Sequence, residues 1–339
     1  MAESDYAKRV ERFQSGTDPR ELPENVAREV IQDVEQVSAV LKLANVSRMS
    51  TRQERLTLLD SFPNAYWLNG TVDYPTLSGT NASGSQRAKD SQPKQTTTVT
   101  WNSKTLAAEE LAVLVPIPDS FVDDTGAPLF DEIRPMVATA FAKAIDNAIL
   151  WGVNSPFLQD GILEGAISNG NIWYKGSTPA PANDLAGDIA SMAFEAVQDG
   201  IDVNKFVSGP GFDWRLANLR TTTGEPIYQQ PTETSPGRIY GRPNIEVTNG
   251  TWRDSLALLG TGDWQYARVG IRQDITFSLS DSGTIYDPAT QKVVYSAFQQ
   301  DGKILRAVMR IAYTVVQPLR HLTNAKSYPF WILQNKTGS

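Results

Sequence analysis

Cysteine is absent from the 339-residue chain, and histidine occurs once. Without thiols there is no disulfide, no thiolate zinc site and no cysteine nucleophile, and a chain of this kind fits synthesis in a reducing compartment. The single histidine, His321 in PLRHLTNA, leaves only carboxylates to build a metal centre, and no EF-hand spacing supplies them. A Ser-His-Asp triad would need that histidine together with a G-x-S-x-G elbow, which is missing, so His321 reads as a surface or packing residue. Neither a P-loop nor a G-x-G-x-x-G occurs, and no cofactor is expected. Positive charge is also short: 31 Lys and Arg face 38 Asp and Glu, a formal net charge of −7. A free-standing nucleic-acid binder would carry a basic excess. No run approaches the ~18 apolar residues of a membrane helix, and the opening MAESDYAKRVERFQS is charged throughout, unlike a signal peptide. Sequons such as Asn81-Ala82-Ser83 therefore carry no weight as glycosylation sites.

What is present describes a folded protein. Apolar residues make up 40% and charged residues 20%, and the length accommodates two domains or one elaborate one. Residues 1–23 mix charge and turn formers and read as a loose arm. From Glu24 the positions Val26, Val30, Val34, Val37 and Leu41 recur at helical spacing. The strongest helix is LFDEIRPMVATAFAKAIDNAILWG (residues 129–152), where Leu129, Ile133, Val137, Phe141, Ile145 and Ile149 step by four. It should be about 35 Å long, with Pro135 marking a kink or a late start. Further on, Leu185, Ile189, Met192, Ala196 and Val197 form a second helical stripe closed by Gly200, and Phe212, Leu216 and Leu219 a third. Strands are expected at RLTLLDSF (55–62), TVTW (98–101), LAVLVPIP (111–118), KFVSG (205–209), 245–248, 256–259 and around Ile275, Phe277 and Leu279. The stretch ILRAVMRIAYTVV (304–316) alternates strictly, with Leu305, Ala307, Met309, Ile311, Tyr313 and Val315 on one face and Arg306 and Arg310 on the other. Strands and helices intermix without a βαβ repeat, so the class is α+β.

Two features ask for a function. The stretch SGTNASGSQRAKDSQPKQTTT (78–98) holds no Val, Leu, Ile, Met or aromatic side chain, yet it sits between good strands. A structureless connection this long in a compact domain calls for a role. Its charges, Arg87, Lys89 and Lys94 with Asp90 among them, have no interleaved aromatics on which bases could stack. Asp124-Thr125-Gly126 and Asp281-Ser282-Gly283 match the paired signatures of aspartic proteases, whose two carboxylates share a proton. The flanks disagree: Asp124 precedes Pro128 and the long helix, where D-T-G is capping material, and Asp281 lies between alternating strands, where D-S-G is hairpin material.

The order of elements resembles the major capsid proteins of tailed bacteriophages, the Hong Kong 97-like fold. LAAEELAVLVPIPDSFVDD and the helix after it look like the strand and spine helix of that family's peripheral domain. AILWGVNSPFLQDGIL resembles its helix-end signature, with Gly161-Ile162-Leu163; FVSGPGFDWRLANLRTTTGEPIYQ resembles the strand, helix and Gly-x-Pro turn of the axial domain, with Gly224 and Pro226. FQQDGKILRAVMRIAYTVVQPLRHL resembles the closing strands, with Asp301, Arg306 and Arg310 in place. The resemblance implies an N-terminal arm (1–49), a peripheral domain (50–158) with an extended loop at about 63–98, an axial domain (159–290), returning peripheral strands (291–325) and a C-terminal tail (326–339). It implies no enzyme but a subunit that assembles through pentamers and hexamers into an icosahedral virion shell around double-stranded DNA, bound without sequence specificity, with assembly in the host cytoplasm and no membrane partner. Arg87, Lys89, Asp90 and Lys94 would sit in the inter-subunit loop, where Lys89 and Lys94 are also candidates for the cross-links some members form. Arg306 and Arg310 would be inter-subunit or strand-face charges. Only about fifty residues precede the first strand, so a separate scaffolding protein, or none, is implied, beside a portal and a possible decoration protein. The alternatives are an encapsulin-like nanocompartment shell and, more distantly, an aspartic protease using Asp124 and Asp281.

Overall fold

In the computed structural model the described residues are 34, 37–63, 99–118, 129–177, 184–217, 225, 228–229, 237–287, 289–319 and 326–335. The loop positions Arg87, Lys89, Asp90 and Lys94, the turn at Asp124, the Gly224–Pro226 match and His321 fall outside them, Glu225 excepted. Two sheets and a long helix organise the rest.

The first sheet runs in the order β1-β10-β13-β3-β2. Its strands are β1 (Asn45–Arg48), β2 (Gln53–Leu59), β3 (Trp101–Pro118), β10 (Ala267–Ser280) and β13 (Gly302–Val315). All pair antiparallel except β1, which lies parallel to β10. The alternation read at 304–316 is β13, and its Leu305 to Val315 row is buried as expected. The other face is less polar than the pattern suggests. Arg306 and Arg310 are exposed, but Ile304, Val308, Ala312 and Thr314 are buried. Ala312 joins Met49, Leu106 and Ala108 in a small separate cluster, because the chain between β1 and β2 folds over that end. Gly270 permits the approach: a Cβ there would collide with Met49 Sδ. The two strands expected at 98–101 and 111–118 are one 18-residue strand. The cause is pairing: residues 101–107 bond to β2 and residues 108–118 to β13, so the charged middle is held extended by two successive partners.

The helix α2 (Leu129–Trp151) lies on the inner face of this sheet and buries Val137, Phe141, Ile145 and Ile149 in the main core. It starts ahead of Pro135, which rules out the late start, and Gly152 ends it with φ +65. Upstream, the stripe through Val34 and Val37 does not run on as one helix. Ser38 is extended and caps a new short helix, α1 (Ala39–Leu43), its hydroxyl accepting from Leu41 N–H.

The second sheet has the order β4-β14-β9-β5-β8-β7-β6, from β4 (Ile172–Tyr174), β5 (Lys205–Ser208), β6 (Tyr228–Gln229), β7 (Arg238–Ile239), β8 (Arg242–Glu246), β9 (Leu259–Gly262) and β14 (Phe330–Gln334). Helices α4 (Leu185–Gln198) and α5 (Phe212–Leu216) contribute Ile189, Met192, Phe212 and Leu216 to a core with Phe206 and Leu333. The alternate residues, Val207, Phe330 and Ile332, pack in the main core with α3 (Ile162–Ser168). Residues 330–334, read in sequence as part of a tail, are thus an inner strand. FWIL is an apolar run of only four residues, which periodicity cannot assign, and it is long-range pairing to β4 and β9 that makes it β structure. Likewise β10 falls inside the stretch 159–290 but belongs to the first sheet. The strand expected at 256–259 begins only at Leu259. Between β10 and β13 stands a separate hairpin, β11 (Thr284–Tyr286) and β12 (Val293–Ser296).

Because Phe141 is 2% exposed in the main core and Met136 is 71% exposed on the same helix, their truncations should differ sharply. Phe141→Ala should cost about 3–5 kcal/mol and Met136→Ala less than about 0.5 kcal/mol in urea unfolding of the isolated subunit.

Candidate functional site

Three places on the subunit combine charge or exposed apolar surface with a defined position. The first is buried. Asp146 stands in the last third of α2 and is fully buried. Its Oδ1 accepts hydrogen bonds from Ser38 Oγ (2.6 Å) and Val40 N (3.1 Å), and its Oδ2 from Ala39 N (3.0 Å) and Asn249 Nδ2 (2.6 Å). Asn249 in turn accepts from Thr251 N and Thr251 Oγ1. Burial pushes the Asp146 carboxyl above the ordinary range, while the four donors pull the other way. At the far end of α1, Lys205 Nζ donates to the carbonyls of Leu43 (2.9 Å) and Lys42 (3.4 Å); burial lowers its pKa. A five-residue helix is therefore held by a carboxylate at its N-terminus and an ammonium at its C-terminus, the favourable sense for its dipole. Reading the sequence missed Asp146. The available signal was an aspartate at four- and three-residue spacing from Ala142 and Ile149, inside the buried stripe.

The second place is the outer face of the first sheet. Arg48 pairs with Asp274 (2.7 Å), Arg310 with Glu110 (3.0 Å) and Arg52 with Glu109 (4.0 Å). Arg52, Glu109, Glu110, Arg272 and Arg310 line one shallow cleft. Arg306 stands further along β13, opposite Leu114 and Ser278, exposed and without an ion-pair partner among the described residues. Both arginines singled out in sequence are thus strand-face charges, two register positions apart on the same face.

The third is a set of large apolar side chains left in solvent: Trp101, Met136 and Trp214, together with Tyr286, Val293, Val294 and Phe298 on and beside the hairpin, Phe298 being 82% exposed. Isolated exposed apolar residues are ordinary, but several of this size clustered on one hairpin mark a contact surface.

Signs of catalysis do not converge. Asp281 is exposed in the turn between β10 and β11. Among the described residues no three His, Cys, Asp or Glu side chains gather to hold a metal, and no helix is long and apolar enough to cross a membrane.

The sequence profile described as the Phage capsid family matches residues 22–320, which spans nearly all of both sheets. The chain belongs to the phage capsid family. Among curated relatives, the major capsid protein of Staphylococcus phage 80alpha is 24% identical over 286 residues, covering 84% of this chain and 78% of the relative. A solved chain from Microbacterium phage Oxtober96 is 29% identical with a TM-score of 0.69, covering 88% of this chain and 91% of its own. One from Mycobacterium phage Cain, at 23% identity and a TM-score of 0.71 over 90% and 92%, shares the fold. The Hong Kong 97-like α+β fold expected from the order of elements is the one found. Membership makes the chain a structural component of the virion that self-associates into a shell, not an enzyme. The protease alternative falls with it, and a phage family decides against the nanocompartment.

In a capsid subunit the buried and surface charges should behave differently on truncation. Asp146→Ala strands four buried donors and should cost roughly 3 kcal/mol or more. Arg310→Ala breaks a pair whose side chains are about half exposed and should change stability by less than about 1 kcal/mol. Parallel guanidinium titrations of the two variants measure the contrast.

Proposed function

We propose that the chain is the major subunit of an icosahedral shell, built from pentamers and hexamers, that encloses double-stranded DNA. The observation carrying this reading is the family match across residues 22–320, taken with a folded two-sheet subunit that leaves large apolar side chains in solvent. Heterologous contacts between such subunits close by rotation into rings, and rings of two sizes close into shells. In this reading the first sheet with α2 is the peripheral unit and the second sheet with α3, α4 and α5 the axial unit. The polar stretch 78–98 reaches an adjacent subunit through Arg87, Lys89, Asp90 and Lys94, which explains why it keeps no apolar residue to bury against its own chain. Weak contacts of this kind become strong when repeated over many neighbours.

The net charge of −7 suits a shell that must hold DNA without gripping it, since each neutralised phosphate adds salt-dependent affinity. Packaging is therefore without sequence recognition. In this reading the partners beside further copies of the chain are a portal, a separate scaffolding protein or none, and a possible decoration protein, and assembly takes place in the host cytoplasm.

Negative-stain microscopy of the purified protein, with and without a co-expressed scaffold, should show closed shells. Sedimentation as monomer or dimer alone under every assembly condition would contradict the reading. Lys89→Glu combined with Lys94→Glu should reduce the yield of closed particles several-fold while leaving the melting temperature of the free subunit unchanged. A loss of subunit stability of the same size would assign the two lysines to the fold instead.

A further inference from the structure

The segment from Ser38 to Arg48 runs between the two sheets. Its helix α1 packs on α2 and touches β8, and Lys205 of β5 grips its last carbonyls. Its strand β1 then pairs with residues 268–271, the first turns of β10, beside the place where the chain passes from the second sheet into the first. That passage is short: β9 ends at Gly262, a single 3-10 turn covers Trp264–Tyr266, and β10 begins at Ala267. The strap thus lies along the joint and is fastened on both sides of it.

Asp146 is the centre of the fastening. It holds Ser38, Ala39 and Val40 of the strap and, through the same carboxylate, Asn249 of the loop after β8. All four partners present a hydrogen, so the site is matched to a carboxylate: an amide in its place would set its own NH₂ against donors. The core shared by the two sheets resists their separation. Apolar contact is non-directional, however, and tolerates tilting, whereas hydrogen bonds of 2.6–3.1 Å fix a geometry.

We propose that Asp146 is a positioning residue for shell assembly, acting through the strap 38–48 to hold the two sheets of the subunit at one relative angle. The link to assembly rests on the shell reading above; the angle itself is a property of the free subunit. A subunit with a fixed angle gives shells of one curvature, and a subunit with a loose angle gives a spread.

The chain has no cysteine, so spin labels at Ser103→Cys on β3 and Ala190→Cys on α4, both exposed, report the angle without background. In the unassembled subunit the parent should give one narrow distance by pulsed electron resonance. Asp146→Asn, Asn249→Ala and Lys205→Met should each broaden or split it, and amide exchange across residues 39–44 should quicken about tenfold while β3 and β13 stay protected. Ser38→Ala should behave like the others and Ser38→Thr, which keeps the hydroxyl, like the parent. Particles from the variants should vary in diameter where the parent gives one size. Should Asp146→Asn fail to fold, Asn249→Ala and Lys205→Met decide, since the first removes the bond that ties Asp146 to the loop after β8 and the second the bonds from β5 to the last carbonyls of α1. Unchanged distances in those variants, with or without faster exchange at 39–44, would overturn the proposal. Absence of shells from the parent would instead count against the shell reading and leave the distance result to stand alone.

Discussion

Strand β13 is hydrogen-bonded along its length to β10 on one side and to β3 on the other, and its Leu305, Ala307, Met309, Ile311, Tyr313 and Val315 row lies in the core with α2. Side chains alternate with a period of two, so a slip of one residue against either neighbour would turn that row away from α2 and bring Arg306 and Arg310 into the core. The cost of burying two guanidinium groups without partners fixes the register. Once β13 is set, β3 must extend through its charged middle to reach β2, β10 must arrive from the second sheet at Ala267, and α2 has one surface on which to lie. Most of the subunit's geometry follows from that pairing.

The second sheet is built on a different principle. Its strands are short, its inner strand β14 comes from the far end of the chain, and both of its faces are covered. Junctions between two such units are where directional contacts matter, and the Asp146 carboxylate with its four donors occupies that position. Surface pairs such as Arg310 with Glu110 contribute little to stability by comparison, and their place on an open sheet face leaves them free for contacts with other copies.

Much of this was legible in the sequence because single elements carry strong local periodicity. The α2 stripe, the β13 alternation, the α4 stripe ending at Gly200 and the KFVSG strand all depend on residues close together in the chain. The order of those elements was enough to suggest the family. What escaped depends on distant partners. TLAAEEL has no strand periodicity of its own and is extended only because β2 and β13 hold it. FWIL is too short to classify until β4 and β9 flank it. Ser38 breaks a smooth valine stripe because a carboxylate 108 residues away accepts its hydroxyl hydrogen. Asp146 was invisible for the same reason, a polar residue in an apolar stripe whose partners lie on two remote segments. The charges at Arg87, Lys89, Asp90 and Lys94, proposed above for contacts between copies, lie outside the described residues.

The central claim is that surface left uncovered on one subunit is covered by its copies. A cryo-electron reconstruction of the assembled shell at side-chain resolution tests it most directly. The account predicts that Met136, Trp214 and Phe298, exposed by more than two thirds in the isolated chain, are buried against neighbouring subunits. A shell in which those three side chains face solvent, with its contacts made elsewhere, would contradict it.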